Sequence, residues 1–208
     1  MGRREGPSEE RRTAILQAAE TLFIEKGFPG ASIREIANRA EVSSALLYWF
    51  FPNKAGLFAA VLQERIDSQG VLAFPDEALA LPPDVLLPQM LHRFTRFLLS
   101  PGQVRLMRLV LRDADREPAL VGALTQVVVG QALVPMAAYL RHHMELGTLR
   151  KADPDFAAQA FLGMFMVLAL RREILHEPQS RKWDVEAYAA AAVETFLHGM
   201  TAEPGRQC

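Results

Sequence analysis

The sequence predicts an all-α fold of about nine helices, a small N-terminal bundle with a helix-turn-helix preceding a larger helical part. Three observations predict it. Apolar residues recur at helical spacing along nearly the whole chain, and no segment alternates in the manner of a strand. Serine, asparagine and aspartate stand where those patterns begin, with glycine or proline where they end. Two short patterns are separated only by Glu41 and Val42, the spacing of two helices joined by a tight turn.

Taken in order, the first helix starts near Ser8 with Glu9 and Glu10 in its first turn, where the helix dipole favours acids. Ile15, Ala18, Ala19 and Leu22 form its buried stripe, and Gly27 stops it. Phe28-Pro29-Gly30-Ala31 is a turn. Ser32 and Glu35 have capping-box spacing at the start of the second helix, whose buried face is Ile33, Ile36, Ala37 and Ala40. Ser43 caps a third helix reaching about Phe50, and Asn53 caps a fourth through Leu57, Val61, Leu62 and Ile66. Between Gly70 and Pro83 the periodicity fades. Helical spacing returns from Pro88 to Leu98, from Val104 to Leu111, and from Glu117 to Met144, where Gly130 and Pro135 predict a kink or break. Asp153-Pro154 opens a helix apolar on almost every side from Phe156 to Leu170. Asp184 caps the last helix, and Gly199 closes it.

Composition narrows the function classes without choosing one. The 208 residues are 50% hydrophobic and 23% charged, ordinary for a globular protein and unlike a disordered chain. Net charge is −1, so overall charge does not argue for a nucleic-acid partner. Within residues 1–55, eight basic residues face seven acidic ones, so any such partner must be recognised by where charges sit. The single cysteine, Cys208, excludes an intrachain disulfide, and the charged N-terminus has no apolar signal core. The apolar stretch Phe161–Leu170 is too short to span a bilayer. A cytoplasmic protein without membrane partners is expected.

The pair of helices across residues 32–51 carries the functional reading. A helix-turn-helix needs a second helix with one buried side and one side free to enter the major groove. Leu47 and Phe51, four residues apart, can face the core, which leaves Ser44, Ala45, Tyr48 and Trp49 on the other arc. A plain helical hairpin has the same spacing.

The residues themselves add to this. Ile15-Leu16-Gln17-Ala18-Ala19, Leu22-Phe23, Gly27-Phe28 with Gly30 and Ser32, Ile36-Ala37, Ala40, Val42-Ser43, Leu47-Tyr48, Phe51 and Asn53-Lys54 with Leu57 stand at fixed intervals. This stretch resembles the DNA-binding domain of the TetR/AcrR family of bacterial transcriptional regulators. The resemblance implies a DNA-binding domain over 1–55 and a ligand-binding and dimerisation domain over 56–208. It places Ser32, Tyr48 and Lys54 on the DNA backbone, where hydroxyls and a cation suit phosphate oxygens. Ser43, Ser44, Ala45 and Trp49 fall where the family reads or lines the major groove, and Arg34 is placed to reach DNA from the preceding helix. Glu41 stands where the family usually has glycine, and Ala45 replaces another frequent glycine.

Farther along, Glu145-Leu146-Gly147-Thr148-Leu149-Arg150 with Asp153-Pro154 resembles the join before the family's penultimate helix. The last two long helices then pair with those of a second copy. An all-round apolar helix needs neighbours on more than one face, which agrees with a homodimer. The resemblance also implies an apolar effector cavity, for which Phe94, Met107, Tyr139 and Phe165 are candidate lining residues. The expected function is that of a repressor of double-stranded, palindromic operator DNA, released by a small apolar ligand. The alternative is an architectural or protein-interaction factor of the same fold that senses no ligand. An enzyme is not expected: the sequence has no phosphate-binding glycine loop, nucleophile–base signature or histidine pair at metal-ligand spacing, and implies no cofactor.

Overall fold

The structure is a computed structural model that describes residues 9–70 and 79–200. Its helices are α1 (Glu9–Gly30), α2 (Ile33–Arg39), α3 (Ser44–Phe50), α4 (Lys54–Ser68), α5 (Pro83–Leu98) and α6 (Pro101–Asp113). They continue as α7 (Pro118–Val128), α8 (Val134–Glu145), α9 (Pro154–Ala169), α10 (Pro178–Arg181) and α11 (Val185–Met200), and no strand occurs among the described residues. A π-helical turn, Val129–Leu133, makes α7 and α8 one continuous helix. Leaving the four-residue α10 aside and taking α7–α8 as one, the described residues hold the nine helices expected.

The helices fall into two compact units. The first contains α1–α4 with α6 from Arg105 and α7 as far as Val127. In it α1 packs on α2 and α4, and α2 on α3. The stripe Ile15, Ala18, Ala19 and Leu22 is buried as expected, joined by Leu16 and Phe23. Phe23, Phe28 and Phe58 form a triangle of rings with centroids 5.4–5.8 Å apart, one pair stacked and two edge-on. Each such pair adds about 0.5–1.5 kcal/mol beyond the area it buries. Gly27 interrupts α1 at φ 79, ψ 170, and Phe28–Gly30 form one further helical turn after the break. The expected turn there is thus a kink.

The second unit holds α5, α8, α9, α10 and α11, with α5 on α11 and α8 on α9. Its start differs from the expectation. α5 begins at Pro83, five residues before Pro88, and Pro88 lies inside it. Pro83 occupies the first turn, where a missing N–H costs nothing, so the helix starts there and carries Pro88 five residues later. Gly130 and Pro135 likewise produce no break. The π turn absorbs the distortion, and Pro135 sits in the first turn of α8. Asp153 caps α9 through Oδ1, accepting from the N–H groups of Asp155 (2.9 Å) and Phe156 (3.0 Å). Asp184 caps α11 the same way. That helix runs through Gly199 to Met200, whose carbonyl accepts from the Arg150 N–H at 2.7 Å.

Phe161–Leu170 is not the only apolar segment to weigh against a membrane span. The continuous helix Pro118–Glu145 spans 28 residues, and an 18-residue window in it has mean hydropathy 1.6, with 28% of that window buried. It is long and apolar enough to cross a bilayer by those measures alone. The expectation at Ser8 lies outside the described residues, as do positions 71–78 of the faded stretch and Cys208.

Candidate nucleic-acid interface

The interface is built from three helix starts. At the first, Ser32 caps α2 by accepting the Glu35 N–H at 3.2 Å. The Glu35 carboxylate returns the bond, accepting from the Ser32 N–H (3.3 Å) and hydroxyl (2.9 Å). Lys26 donates to the same carboxylate at 2.6 Å. Lys26 foremost, then the Ser32 bonds, lower the Glu35 pKa to about 2.

The second start is α3. Ser43 Oγ accepts the Leu46 N–H at 3.1 Å and fixes the helix's entry. Between α2 and α3 the chain forms a Schellman motif: Glu41 donates to the Asn38 carbonyl at 3.2 Å and Val42 to the Ala37 carbonyl at 3.0 Å. This motif requires a left-handed residue, and Glu41 supplies it at φ 55. The glutamate therefore takes the left-handed conformation that usually falls to glycine.

From that entry α3 divides cleanly. Leu47 and Phe51 are buried, whereas Tyr48 is 52% and Trp49 67% exposed, with Ala45 beside them. Ser44 is half-buried, on the edge between the two arcs. Leu46 is half-buried as well. Trp49 has only an edge-on contact with the Phe50 ring, centroids 4.9 Å apart, to hold it. Two large aromatics are thus left mostly in solvent on a capped seven-residue helix, among the described residues.

The third start is α4. Asn53 Oδ1 accepts the Gly56 N–H at 2.8 Å, so the cap is satisfied by its own side chain. Lys54 Nζ lies 4.6 Å from the centroid of the Phe28 ring and donates to the Pro29 carbonyl at 3.4 Å. Its ammonium group is thus aimed before any partner arrives. Arg34 is exposed on α2 with no carboxylate against it among the described residues. Four other cations of this unit are paired with carboxylates: Lys26 with Glu35, Arg39 with Glu25 at 2.9 Å, Arg12 with Glu64 at 3.2 Å and Arg65 with Glu20 at 2.5 Å. Arg34 and Lys54 have no such carboxylate partner among the described residues.

One contact here has no counterpart in the sequence reading. The kink at Gly27 frees the Phe28 N–H from the helix, and Asp113 at the end of α6 accepts it through Oδ2 at 3.0 Å. Asp113 is 7% exposed and also receives Arg112 Nε (2.8 Å) and Nη2 (3.0 Å). Arg112, ahead of the Phe28 bond, lowers its pKa against the opposing effect of burial. A signal did exist. An aspartate as the last residue of a helix opposes the dipole and needs another reason to be there.

The candidate effector residues are dispersed. Phe94 on α5 and Phe165 on α9 are buried, and Met107 on α6 is half-buried. Tyr139 is fully buried, and its hydroxyl donates to the Leu81 carbonyl at 2.8 Å. Burial, followed by the charge of Asp84, raises its pKa, so it remains a neutral donor.

Two sequence families match. Residues 15–61 match the N-terminal domain of bacterial regulatory proteins of the tetR family. Residues 86–199, more than half of the chain, match the C-terminal domain of AefR-like transcriptional repressors. The chain belongs to the TetR family. It shares 26% identity over 204 residues with the transcriptional regulator AcrR of Shigella flexneri, 91% of each chain. With the transcriptional activator FasR of Mycolicibacterium smegmatis it shares 44% over 62 residues, 30% of this chain and only 28% of FasR. Among solved TetR-family structures, a regulator from Mesorhizobium loti has a TM-score of 0.72 at 26% identity, covering 95% of this chain and all of that one. A complex of SmeT with triclosan has a TM-score of 0.68 at 25% identity, covering 94% and 93%. As a TetR-family member the chain is a DNA-binding transcription regulator.

Proposed function

We propose that this chain is a homodimeric repressor that binds a palindromic operator through α2–α4 and leaves it when a small, largely apolar effector binds the C-terminal domain. Residues 1–55 form the DNA-binding domain and 56–208 the effector and dimer domain. The observation that carries the reading is the exposed Ala45–Tyr48–Trp49 arc on a helix whose entry Ser43 caps. Ser32, Tyr48 and Lys54 hold phosphates, Arg34 adds a cation, and Ser43, Ser44, Ala45 and Trp49 face base edges. The protein works where its DNA is, in the cytoplasm, without enzymatic activity, and the apolar helix Pro118–Glu145 serves a soluble domain.

Exposed apolar residues of α9 support the dimer. Phe156 (74% exposed), Ala160, Gly163 and Val167 (53%) fall on one face, with α11 offering Ala187, Ala190 and Ala191. For the effector, the buried Thr95 hydroxyl next to Phe94 has no hydrogen-bond partner, a group that a bound molecule can satisfy. SmeT's complex with triclosan, an apolar aromatic molecule, fits that reading. Release requires a coupling free energy of about 1–3 kcal/mol, which is reciprocal. An effector must therefore bind the operator-bound dimer more weakly, by the factor by which it weakens DNA binding. Calorimetric titration of candidate compounds with and without operator tests this. Unequal affinities in that ratio support the proposal, and no compound with such a ratio favours the factor that senses no ligand.

A further inference from the structure

Asp113 lies far in sequence from the DNA-binding helices, yet its carboxylate accepts the Phe28 N–H that follows the Gly27 kink, at 3.0 Å. Gly27 holds the corner at φ 79, a left-handed conformation that other residues rarely adopt. Phe28 is in turn held on two sides, its ring stacked on Phe23 and edge-on to Phe58. The free face of that ring carries Lys54 Nζ at 4.6 Å, and the next carbonyl, Pro29, accepts from the same ammonium. Two bonds and one ring therefore lead from the end of α6 to the cation at the start of α4. All of these residues lie within one compact unit.

We propose that Asp113 is a positioning residue for DNA binding: by anchoring the Phe28 N–H it fixes the ring and carbonyl that aim Lys54 at a backbone phosphate. This rests on the DNA-contact reading of Lys54 given above. A strut of this kind works because the ammonium group is long and mobile on its own. Held over a ring face and against a carbonyl, it meets the phosphate without first losing its rotamer freedom. Losing the anchor lets the Gly27–Phe28 corner shift, and Lys54 loses both of its supports together. α6 then acts on the DNA face through one carboxylate, with no side chain of its own near DNA.

The test measures operator affinity against salt concentration for the full-length protein, Asp113→Ala, Lys54→Ala and the double variant. Circular dichroism establishes that each is folded at the assay temperature. Asp113→Ala should weaken binding about tenfold and lower the salt slope by about one unit, as Lys54→Ala does. The double variant should be no weaker than Lys54→Ala alone, because both changes remove one contact. Asp113→Asn, which keeps an oxygen for the Phe28 N–H, should restore most of the affinity. If Asp113→Ala does not fold, Phe28→Leu tests the next link, since it keeps an apolar side chain but removes the ring face. It should lower the salt slope in the same non-additive way.

Wild-type affinity and slope in Asp113→Ala or Phe28→Leu would overturn the proposal, as would losses that add to that of Lys54→Ala. A silent Lys54→Ala would overturn the phosphate contact and the strut together. An effective Lys54→Ala beside a silent Asp113→Ala would overturn the strut alone.

Discussion

Glu35 is held by Ser32 on one side and Lys26 on the other, and both bonds favour its ionised form. Because the folded value, about 2, lies below the ordinary glutamate value of 4.5, folding gains from this carboxylate above pH 4.5. That gain is lost as pH falls from 4.5 through 2. Carboxyl titration by NMR should place the Glu35 midpoint near 2, and a midpoint near 4.5 would mean that the capping box and the Lys26 pair do not persist in solution. The consequence reaches the DNA face, since the same carboxylate orients the Ser32 hydroxyl and keeps Lys26 occupied. At this scale the local chemistry was legible. Ser32, Ser43, Asn53, Asp153 and Asp184 all cap as their spacing implies, because a cap involves residues two or three apart. The Asp113–Phe28 bond was not legible, since it joins residues 85 positions apart and no pattern of spacing encodes such a pairing.

Element boundaries follow the same division between near and far. The turn joining α2 to α3 closes with a complete Schellman pair, although glutamate occupies its left-handed position. A left-handed residue other than glycine costs about 1–2 kcal/mol, and an acid beside the helix C-terminus adds an unfavourable dipole interaction. Glycine returns part of this as lost chain entropy on folding. Glu41→Gly should therefore stabilise the protein by about 1 kcal/mol, raising its melting temperature by about 2–4 °C. An unchanged or lower melting temperature would show that the glutamate is not strained. Prolines were harder to place from sequence. Pro88 reads as a helix start and Pro135, with Gly130, as a kink or break, yet α5 carries Pro88 inside it and a π turn precedes Pro135. Both outcomes are settled by packing: the buried faces of α5 and α8 keep the helices intact where the backbone alone prefers to end them. The candidate effector residues were least legible, because a core methionine or aromatic and a cavity-lining one look alike in sequence.

For the whole molecule, fold and family were visible in the first third of the sequence, where many positions agree at fixed spacing. Dimerisation follows less directly. A helix apolar on all sides states that it needs neighbours, and the exposed Phe156 and Val167 show which side of α9 lacks one among the described residues. Two copies joined there would present two α3 helices to successive turns of a duplex, about 34–36 Å apart or a multiple of that spacing. The central claim is that Trp49 and its neighbours read a palindromic site while Lys54 and Ser32 supply affinity without sequence preference. Selection of bound sequences from random duplex DNA at fixed salt, by the wild-type protein and by Trp49→Ala, measures this most directly. The account predicts that the wild type enriches a palindrome with that half-site spacing. Trp49→Ala should retain salt-dependent binding yet lose preference at specific bases. Enrichment of no sequence by the wild type, or of the same site with equal strength by Trp49→Ala, would contradict it.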